Sequence, residues 1–222
     1  RWASAARNTG ARAASQPLIS YLDSDDEWLP QKLALQLDAW QNLRGRICAL
    51  GTRAFVHFVH EPIRAETLRP GRGGVVFWSF HRLARFSQVG SAVMERDLYL
   101  EVGGMDETMQ KSHDLDMWLR LTAFTGLPIG QLRQRLTIWQ LDARSAALSL
   151  RSTLQVIEKW DPQREPPPGC PRMLDTREYA KLHQWYLLKC AYRLIATGDL
   201  EGAKEFLVGC IEERDGCMTY RM

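Results

Sequence analysis

An apolar run that ends in a cluster of acids constrains the fold of this chain more than any other feature. Residues 18–22 follow a proline and read Leu-Ile-Ser-Tyr-Leu, and carboxylates follow at Asp23, Asp25 and Asp26. An apolar run of this length predicts a buried strand. The acids then stand at the carboxyl end of that strand, where ligands bind in open α/β sheets. The cluster therefore predicts an α/β fold and a candidate site for a hard divalent cation, which takes oxygen ligands and accompanies phosphates.

The same acids have a simpler explanation. Clusters of aspartate and serine also form turns and helix N-caps, and a helix is predicted just after Pro30. Asp26 or Glu27 would suit the positive N-terminal end of that helix. The spacing of the acids alone favours the helix cap. The choice between a cap and a cation site therefore depends on the surrounding segments.

Four segments in a fixed order bear on that choice. They read A-R-N-T-G at residues 6–10, L-D-S-D-D-E-W-L-P-Q-K-L at residues 22–33, G-G-M-D-E at residues 103–107 and H-D-L-D-M-W-L-R-L at residues 113–121. Together they resemble the family 2 glycosyltransferases, which have the GT-A fold. No single segment is decisive, but four in the right order are a specific signal. The resemblance covers about the first 140 residues.

The resemblance implies a role for individual residues. Asp23 and Asp25 match the D-x-D motif, which holds a divalent cation, Mg²⁺ or Mn²⁺, and the diphosphate of a nucleotide-sugar. Arg7 and Asn8 match a segment beside the nucleotide, and Asp114 matches the general base of the E-D motif. The implied fold is GT-A-like: a Rossmann-like mixed sheet with flanking helices, incomplete at its N-terminus.

The implied reaction transfers a sugar from a nucleotide-diphosphate sugar to an acceptor hydroxyl, with inversion at the anomeric centre and with a divalent cation. The acceptor could be a saccharide, a lipid-linked group or a protein. The rival interpretation is a non-catalytic remnant that carries a helical protein-interaction module. Two departures from the family pattern favour the rival, since His113 replaces the first acid of the E-D motif and nothing matches the family's first two strands. The resemblance therefore predicts a fragment that is inactive alone and belongs to an active parent.

Composition argues against several classes of protein. Hydrophobic residues make up 45% of the chain and charged residues 25%, which is ordinary for a globular protein. The net charge of +3 is small and the basic residues are scattered, which argues against a nucleic-acid partner. No apolar run has membrane-spanning length. The five cysteines contain no CxxC pair, which is typical of free thiols in a reducing cytoplasm. We predict a cytoplasmic protein and leave open a peripheral association with the cytosolic face of the membrane.

Three regions follow from the apolar residues and prolines. Residues 1–145 are the predicted partial GT-A domain. Residues 146–171 are predicted to form a helix and a linker, since five of the ten prolines lie between residues 162 and 171. Residues 172–222 are predicted to form a helical hairpin that resembles one tetratricopeptide unit. One unit is not an array, so we expect the hairpin to pack on the first domain.

Helical spacing also predicts which side chains are buried. Leu33, Leu37 and Trp40 recur on one face of a helix that runs to about Gly45. A later helix ends at Gly126 and carries Asp114 in its first turn, where the positive end of a helix stabilises a carboxylate. We expect the strand at residues 18–22 to lie inside a mostly parallel sheet.

Overall fold

The chain contains both helices and strands, and the strands range from two to thirteen residues. The computed structural model describes residues 3–58, 71–79, 83, 88–141, 152, 155–167, 170–171, 173–196, 198 and 200–212. The helices are α1 (Ala3–Ala13), α2 (Lys32–Leu43), α3 (Arg96–Glu101), α4 (His113–Thr125), α5 (Thr176–Ala196) and α6 (Leu200–Glu212). The strands are β1 (Leu18–Ser20), β2 (Glu27–Trp28), β3 (Ala49–Phe58), β4 (Val75–Trp78), β5 (Val93–Glu95) and β6 (Ile129–Leu141). A 3₁₀ turn at Val89–Ser91 precedes β5.

The six strands belong to one mixed sheet. Its main path runs β1-β5-β3-β6-β2, and β4 also pairs with β6. Among the strands that the structure describes, β3 and β6 form the one parallel pair. The predicted mixed α/β sheet is confirmed. The expectation of a mostly parallel surrounding for residues 18–22 is wrong, because β1 pairs antiparallel with β5 at one end of the path.

Both faces of the sheet are covered by helices. One face carries a cluster that joins α1, α3 and α4 to a later segment, and it includes the fully buried Trp118 and Trp160. The other face packs against α2 through Trp40. Leu174, which lies two residues before α5, and Leu182, which lies within it, belong to the first cluster. The first turns of the C-terminal hairpin therefore pack on the α/β part, as expected.

The region predicted as a helix and linker is described only in part. Residues 155–159 are helical, in agreement with the prediction, while residues 142–151, 153, 154, 168 and 169 lie outside the described residues. The region predicted as a helical hairpin contains α5 and α6, which flank Gly198, while residues 213–222 lie outside the described part. Among the helices that the structure describes, none is long and apolar enough to cross a membrane.

The buried face of α2 differs from the predicted one. Leu33 and Leu37 are 41% and 42% exposed, whereas Lys32 and Gln36 are fully buried beside Trp40. This face is polar because its side chains bind backbone carbonyls. The amide of Gln36 donates hydrogen bonds to the carbonyls of Leu50 at 2.8 Å and of Ser91 at 3.0 Å.

Lys32 completes this buried polar cluster. Its Nζ donates a hydrogen bond to Oε1 of Gln36 at 2.7 Å and lies 4.0 Å from the centre of the Trp28 ring. The indole of Trp28 in turn donates to the carbonyl of Gly90 at 2.8 Å. Burial lowers the pKa of Lys32 to about 7 because the charged amine loses its hydration.

The stability of the fold should therefore depend on pH through Lys32. An unfolded lysine keeps its ordinary pKa of 10.5, so the unfolded state binds the proton more readily between pH 7 and 10.5. The free energy of unfolding should be highest, for this group, above pH 10.5 and should decrease as the pH falls towards 7. We expect Lys32→Met to weaken this pH dependence in urea unfolding at pH 7.5 and 9.5. The exposed Lys181→Met is the matched control, and equal pH dependence in all three proteins would contradict the assignment.

Candidate functional site

Arg7 connects two segments that lie far apart in the sequence. Its Nη2 pairs with Oδ1 of Asp23, in the turn after β1, and its Nη1 lies 2.9 Å from Nε2 of His113, the first residue of α4. The side chain of Arg7 is 11% exposed and that of Asp23 is 36% exposed. One guanidinium therefore holds the acidic turn against the start of α4.

The contact with Arg7 defines the state of His113. A guanidinium can only donate hydrogen bonds, so Nε2 of His113 must be the acceptor and the ring proton must lie on Nδ1. Burial lowers the pKa of His113; the neighbouring Asp114 raises it, and the charge of Arg7 lowers it further. The net result is a pKa below the ordinary value and a neutral imidazole at pH 7.

The acids of the turn occupy different environments. Asp23 pairs with the guanidinium described above, and Asp25 is exposed. Asp26 is 7% exposed, and its two oxygens accept hydrogen bonds from the backbone N–H of Gln140 at 3.0 Å and from the side chain of Gln88 at 2.6 Å. Burial raises the pKa of Asp26. Asp26 therefore anchors the turn to the interior and leaves the other two carboxylates at the surface.

The helix-cap explanation of the acidic cluster is wrong. The residue that precedes α2 is Gln31, and its side chain makes no capping hydrogen bond. Asp26 uses both carboxylate oxygens elsewhere, and Glu27 lies in β2. The cluster does form a turn, in which the backbone N–H of Asp26 donates to the carbonyl of Asp23 at 3.1 Å, and a ligand site at the end of β1 stays a prediction.

Asn8 points into the protein. Its Nδ2 donates hydrogen bonds to the carbonyl of Met105 at 2.8 Å and to Oε1 of Glu107 at 2.9 Å. Its Oδ1 accepts from the backbone N–H of Met105 at 2.9 Å and from the hydroxyl of Tyr99. A Cβ at Gly104 would lie 2.4 Å from this oxygen, so the close approach requires glycine. Asn8 clamps the Gly-Gly turn to α1, and its direct contact with a nucleotide stays a prediction.

An open cavity of about 310 Å³ lies beside Arg7 and Asp23. Small residues of α1 form one wall, and residues 21–24 form the other. The wall includes Tyr21, whose hydroxyl donates to the carbonyl of Arg7 at 3.2 Å. The volume is near the lower end of the range for small-molecule sites. A ligand here would meet one cation and one carboxylate on an otherwise weakly polar surface.

Asp114 follows His113 in the chain, and His113 contacts Arg7 on the cavity wall. It is in the first turn of α4, as predicted, and its Oδ1 accepts a hydrogen bond from the backbone N–H of Leu115 at 2.9 Å. The preceding Ser112 has a left-handed backbone with φ of 58°, which turns the chain sharply into the helix.

Buried ion pairs hold α4 in place. Asp116 is fully buried, and its Oδ2 lies 2.8 Å from Nη2 of Arg120 while its Oδ1 lies 3.0 Å from Nζ of Lys159. Arg120 also donates hydrogen bonds to the carbonyls of Val102 at 2.5 Å and Gly104 at 2.6 Å. The same turn that Asn8 clamps is thus fixed from its other side. These contacts position the helix that carries Asp114.

The residues at the turn suit a hard divalent cation that is shared with a diphosphate. Asp23 and Asp25 offer carboxylate oxygens on an accessible turn, which are the ligands that Mg²⁺ and Mn²⁺ prefer. Over the residues that the structure describes, no cluster of three or more His, Cys, Asp or Glu side chains could hold a metal alone. Mg²⁺ usually takes one or two carboxylates and completes its shell with water and substrate phosphates. The pair therefore fits a cation that arrives with a nucleotide.

The sequence analysis named some site residues and missed others. The structure brings Arg7, Asp23 and His113 into contact and places Asp114 next to them. Tyr21 and Tyr99 were missed. Their rings lie 5.9 Å apart, and Tyr99 binds the Asn8 amide. Tyr21 stands between the strand and the acids, so its position in the motif could have indicated a place on the cavity wall.

Residues 1–91 match the model of the family described as glycosyl transferase family 2. The resemblance drawn from the sequence is confirmed over these residues, which contain Arg7, Asn8, Asp23 and Asp25. Asp114 lies beyond them.

A curated relative and two solved structures agree with this result. An uncharacterized glycosyltransferase of Haemophilus influenzae is 21% identical over 160 residues, which cover 68% of this chain and 51% of the relative. The chain thus spans about half the length of that relative. S. aureus TarS aligns over 85% of this chain and 30% of its own length, with 11% identity and a TM-score of 0.52. TarS 1–349 in complex with UDP-GlcNAc aligns over 88% of this chain and 53% of its own length, with 11% identity and a TM-score of 0.50. These two likenesses show a GT-A fold.

Proposed function

We propose that this chain is part of a glycosyltransferase that moves a sugar from a nucleotide-diphosphate sugar to an acceptor hydroxyl. The observation that carries the proposal is the contact of Arg7 with Asp23 and His113 beside an open cavity, with Asp114 next in the chain. The match to the family over residues 1–91 supports the same reaction class. A nucleotide-sugar donor is supported by the TarS complex with UDP-GlcNAc, and the proposal includes a cytoplasmic location.

In this proposal Asp114 acts on the acceptor. Its carboxylate takes the proton of the acceptor hydroxyl as that oxygen attacks the anomeric carbon of the donor. The bond from that carbon to the diphosphate breaks in the same step, which inverts the anomeric centre. The acceptor is a saccharide, a lipid-linked group or a protein.

The acidic turn acts on the donor. Asp23 and Asp25 would hold a Mg²⁺ or Mn²⁺ ion, which supplies positive charge to the departing diphosphate. Arg7 pairs with Asp23 and faces the cavity, so its guanidinium orients the carboxylate and adds a cation at the wall where a phosphate would bind. Asp26 keeps the turn fixed through Gln88 and Gln140.

Asp25 is the residue through which the metal proposal is tested. We expect Asp25→Ala to abolish Mn²⁺-dependent binding of UDP, because the exposed Asp25 has the carboxylate that is free to approach the cation. Calorimetry of the parent protein that contains this chain with UDP, with and without Mn²⁺, measures the effect. Glu27→Ala is the matched control, since it removes an exposed acid two positions away. Unchanged affinity in Asp25→Ala would contradict the metal assignment.

A second candidate function is a non-catalytic protein whose helical hairpin binds a partner protein. One observation favours it, since Ile195, Leu200 and Val208 are exposed apolar side chains on α5 and α6. The two candidates differ in what a Lys substitution at Leu200 would do. A binding module would lose its partner, whereas a transferase that uses the hairpin only as a packing element would keep its turnover.

A further inference from the structure

His113 contacts Arg7 through a nitrogen of its imidazole, whereas Asp23 contacts Arg7 through a carboxylate. Arg7 has two oxygen or nitrogen partners at this site, the carboxylate of Asp23 and the imidazole nitrogen Nε2 of His113 at 2.9 Å, and its Nη1 also lies 4.0 Å from the sulfur of Met105. An imidazole accepts a hydrogen bond only while that nitrogen carries no proton. The contact therefore exists in the neutral form of His113 and is lost in the charged form.

The other nitrogen of the same ring is also informative. Nδ1 of His113 is buried and makes no hydrogen bond to the residues that the structure describes. The ring is thus fixed by its packing and by Arg7. Among the described residues, no other group hydrogen-bonds to the ring and would keep its orientation after Nε2 gains a proton. Protonation would place two cations against each other at this distance.

We infer that His113 is a positioning residue that, as a neutral acceptor, holds the guanidinium of Arg7 against Asp23 at the wall of the cavity. Arg7 is then oriented by two partners on opposite sides, one in the turn after β1 and one at the start of α4. The consequence for ligand binding rests on the function proposed above, because Arg7 faces the cavity in which the nucleotide would lie.

The charged groups around His113 define when it is neutral. Asp114 on α4 and Asp23 in the turn favour the charged imidazole, whereas Arg7 on α1 and Lys111 before α4 oppose it. Burial of the ring is the largest influence and also opposes the charge, so the pKa lies below the ordinary 6.5. The orienting contact is therefore complete at pH 7.5 and is lost as the pH falls through the pKa of His113.

The contact itself can be tested without any ligand. Nitrogen-15 NMR of the imidazoles reports the tautomer and the pKa of each histidine, and the spectrum of His113→Gln identifies the signal of His113. We expect the Nδ1–H tautomer at pH 7.5 and a pKa below 6.5 that rises in Arg7→Met. An Nε2–H tautomer, or a pKa that is the same in Arg7→Met, would overturn the inference.

The consequence for binding is tested with UDP and Mn²⁺ in the parent protein that contains this chain, at pH 7.5 and at a pH below the pKa that the NMR titration gives for His113. At pH 7.5 we expect His113→Leu to weaken UDP binding about tenfold, the order expected for the loss of one hydrogen bond to a charged group. His113→Gln supplies a neutral acceptor again, so it should restore the affinity at pH 7.5 and lose less affinity than the native protein at the lower pH. UDP itself gains a proton in this range, but this affects every variant alike. His183→Gln is the control for a general effect of removing a histidine.

Two results separate this inference from the proposed function. Native protein that binds no UDP at either pH would contradict the proposed function, and the NMR experiment would still decide the role of His113. Native protein that binds UDP with the same pH dependence as His113→Gln would overturn the positioning role and leave the proposed function standing.

Discussion

Replacement of Asp114 by asparagine is expected to remove sugar transfer and leave donor binding nearly unchanged. Asparagine keeps the shape of the side chain and can still accept the hydrogen bond from Leu115, so the start of α4 should be preserved. It cannot take a proton from the acceptor hydroxyl. Loss of a general base typically lowers the rate about a hundredfold to ten-thousandfold.

The comparison needs both kcat and the affinity for the donor, measured on the same preparations. Asp97→Asn is the matched control, because Asp97 is an acid near a helix start whose side chain is 80% exposed. A kcat that falls with an unchanged donor affinity supports the role of Asp114 as base. Turnover retained in Asp114→Asn would show that its carboxylate serves the helix alone.

Replacement of Asp116 by alanine should have the largest effect on stability. The change leaves Arg120 and Lys159 without the carboxylate that lies within 3.0 Å of both. The side chain of Arg120 is 8% exposed, so its charge would stay buried and uncompensated. Breaking a buried pair in this way costs about 3–5 kcal/mol. The total stability of a domain is only about 5–15 kcal/mol, so the effect should be evident in the urea midpoint.

A second variant keeps the prediction testable if Asp116→Ala does not fold. Asp116→Asn keeps a hydrogen-bond acceptor at the same place and should lose less stability than the alanine variant. Urea unfolding of the two Asp116 variants and of the control Asp97→Asn ranks their losses of unfolding free energy. If Asp116→Ala changed the unfolding free energy by less than about 1 kcal/mol, the network would not be what holds α4 and the Gly-Gly turn.

Local signals made α4 predictable. Apolar residues at helical spacing fill its inner face, and the helix ends at Gly126 with a left-handed φ of 68°, a conformation that glycine adopts without strain. The helix begins at His113, so Asp114 lies in its first turn. Both ends of the helix are thus defined by residues within it or beside it.

The buried face of α2 was not predictable in the same way. The amide of Gln36 is buried where it donates to the carbonyls of Leu50 and Ser91, and Lys32 is buried where it donates to Gln36. Those carbonyls come from β3 and from the 3₁₀ turn, far along the chain. Periodicity counts apolar residues and contains no information on which distant carbonyls need a partner.

The candidate site also has features that the sequence indicates and features that only the fold determines. The motif identified Asp23, Asp25 and Arg7 as candidates, but not the bond between Arg7 and His113, which are 106 positions apart. Nor did it separate Asp26 from the other acids, since the partner of Asp26 is a backbone N–H of β6. Residue types along the sequence indicate the chemistry, whereas the distribution of roles among neighbouring acids depends on contacts across the fold.

The central claim is that this site transfers a sugar from a nucleotide donor. The most direct measurement is the release of nucleoside diphosphate by the parent protein that contains this chain, from a panel of nucleotide-diphosphate sugars in the presence of Mn²⁺, with and without a mixture of acceptor saccharides. We expect one donor to be consumed, with release that depends on Mn²⁺ and is lost in Asp25→Ala. No release from any donor, or release that is equal in Asp25→Ala and in the native protein, would contradict the claim.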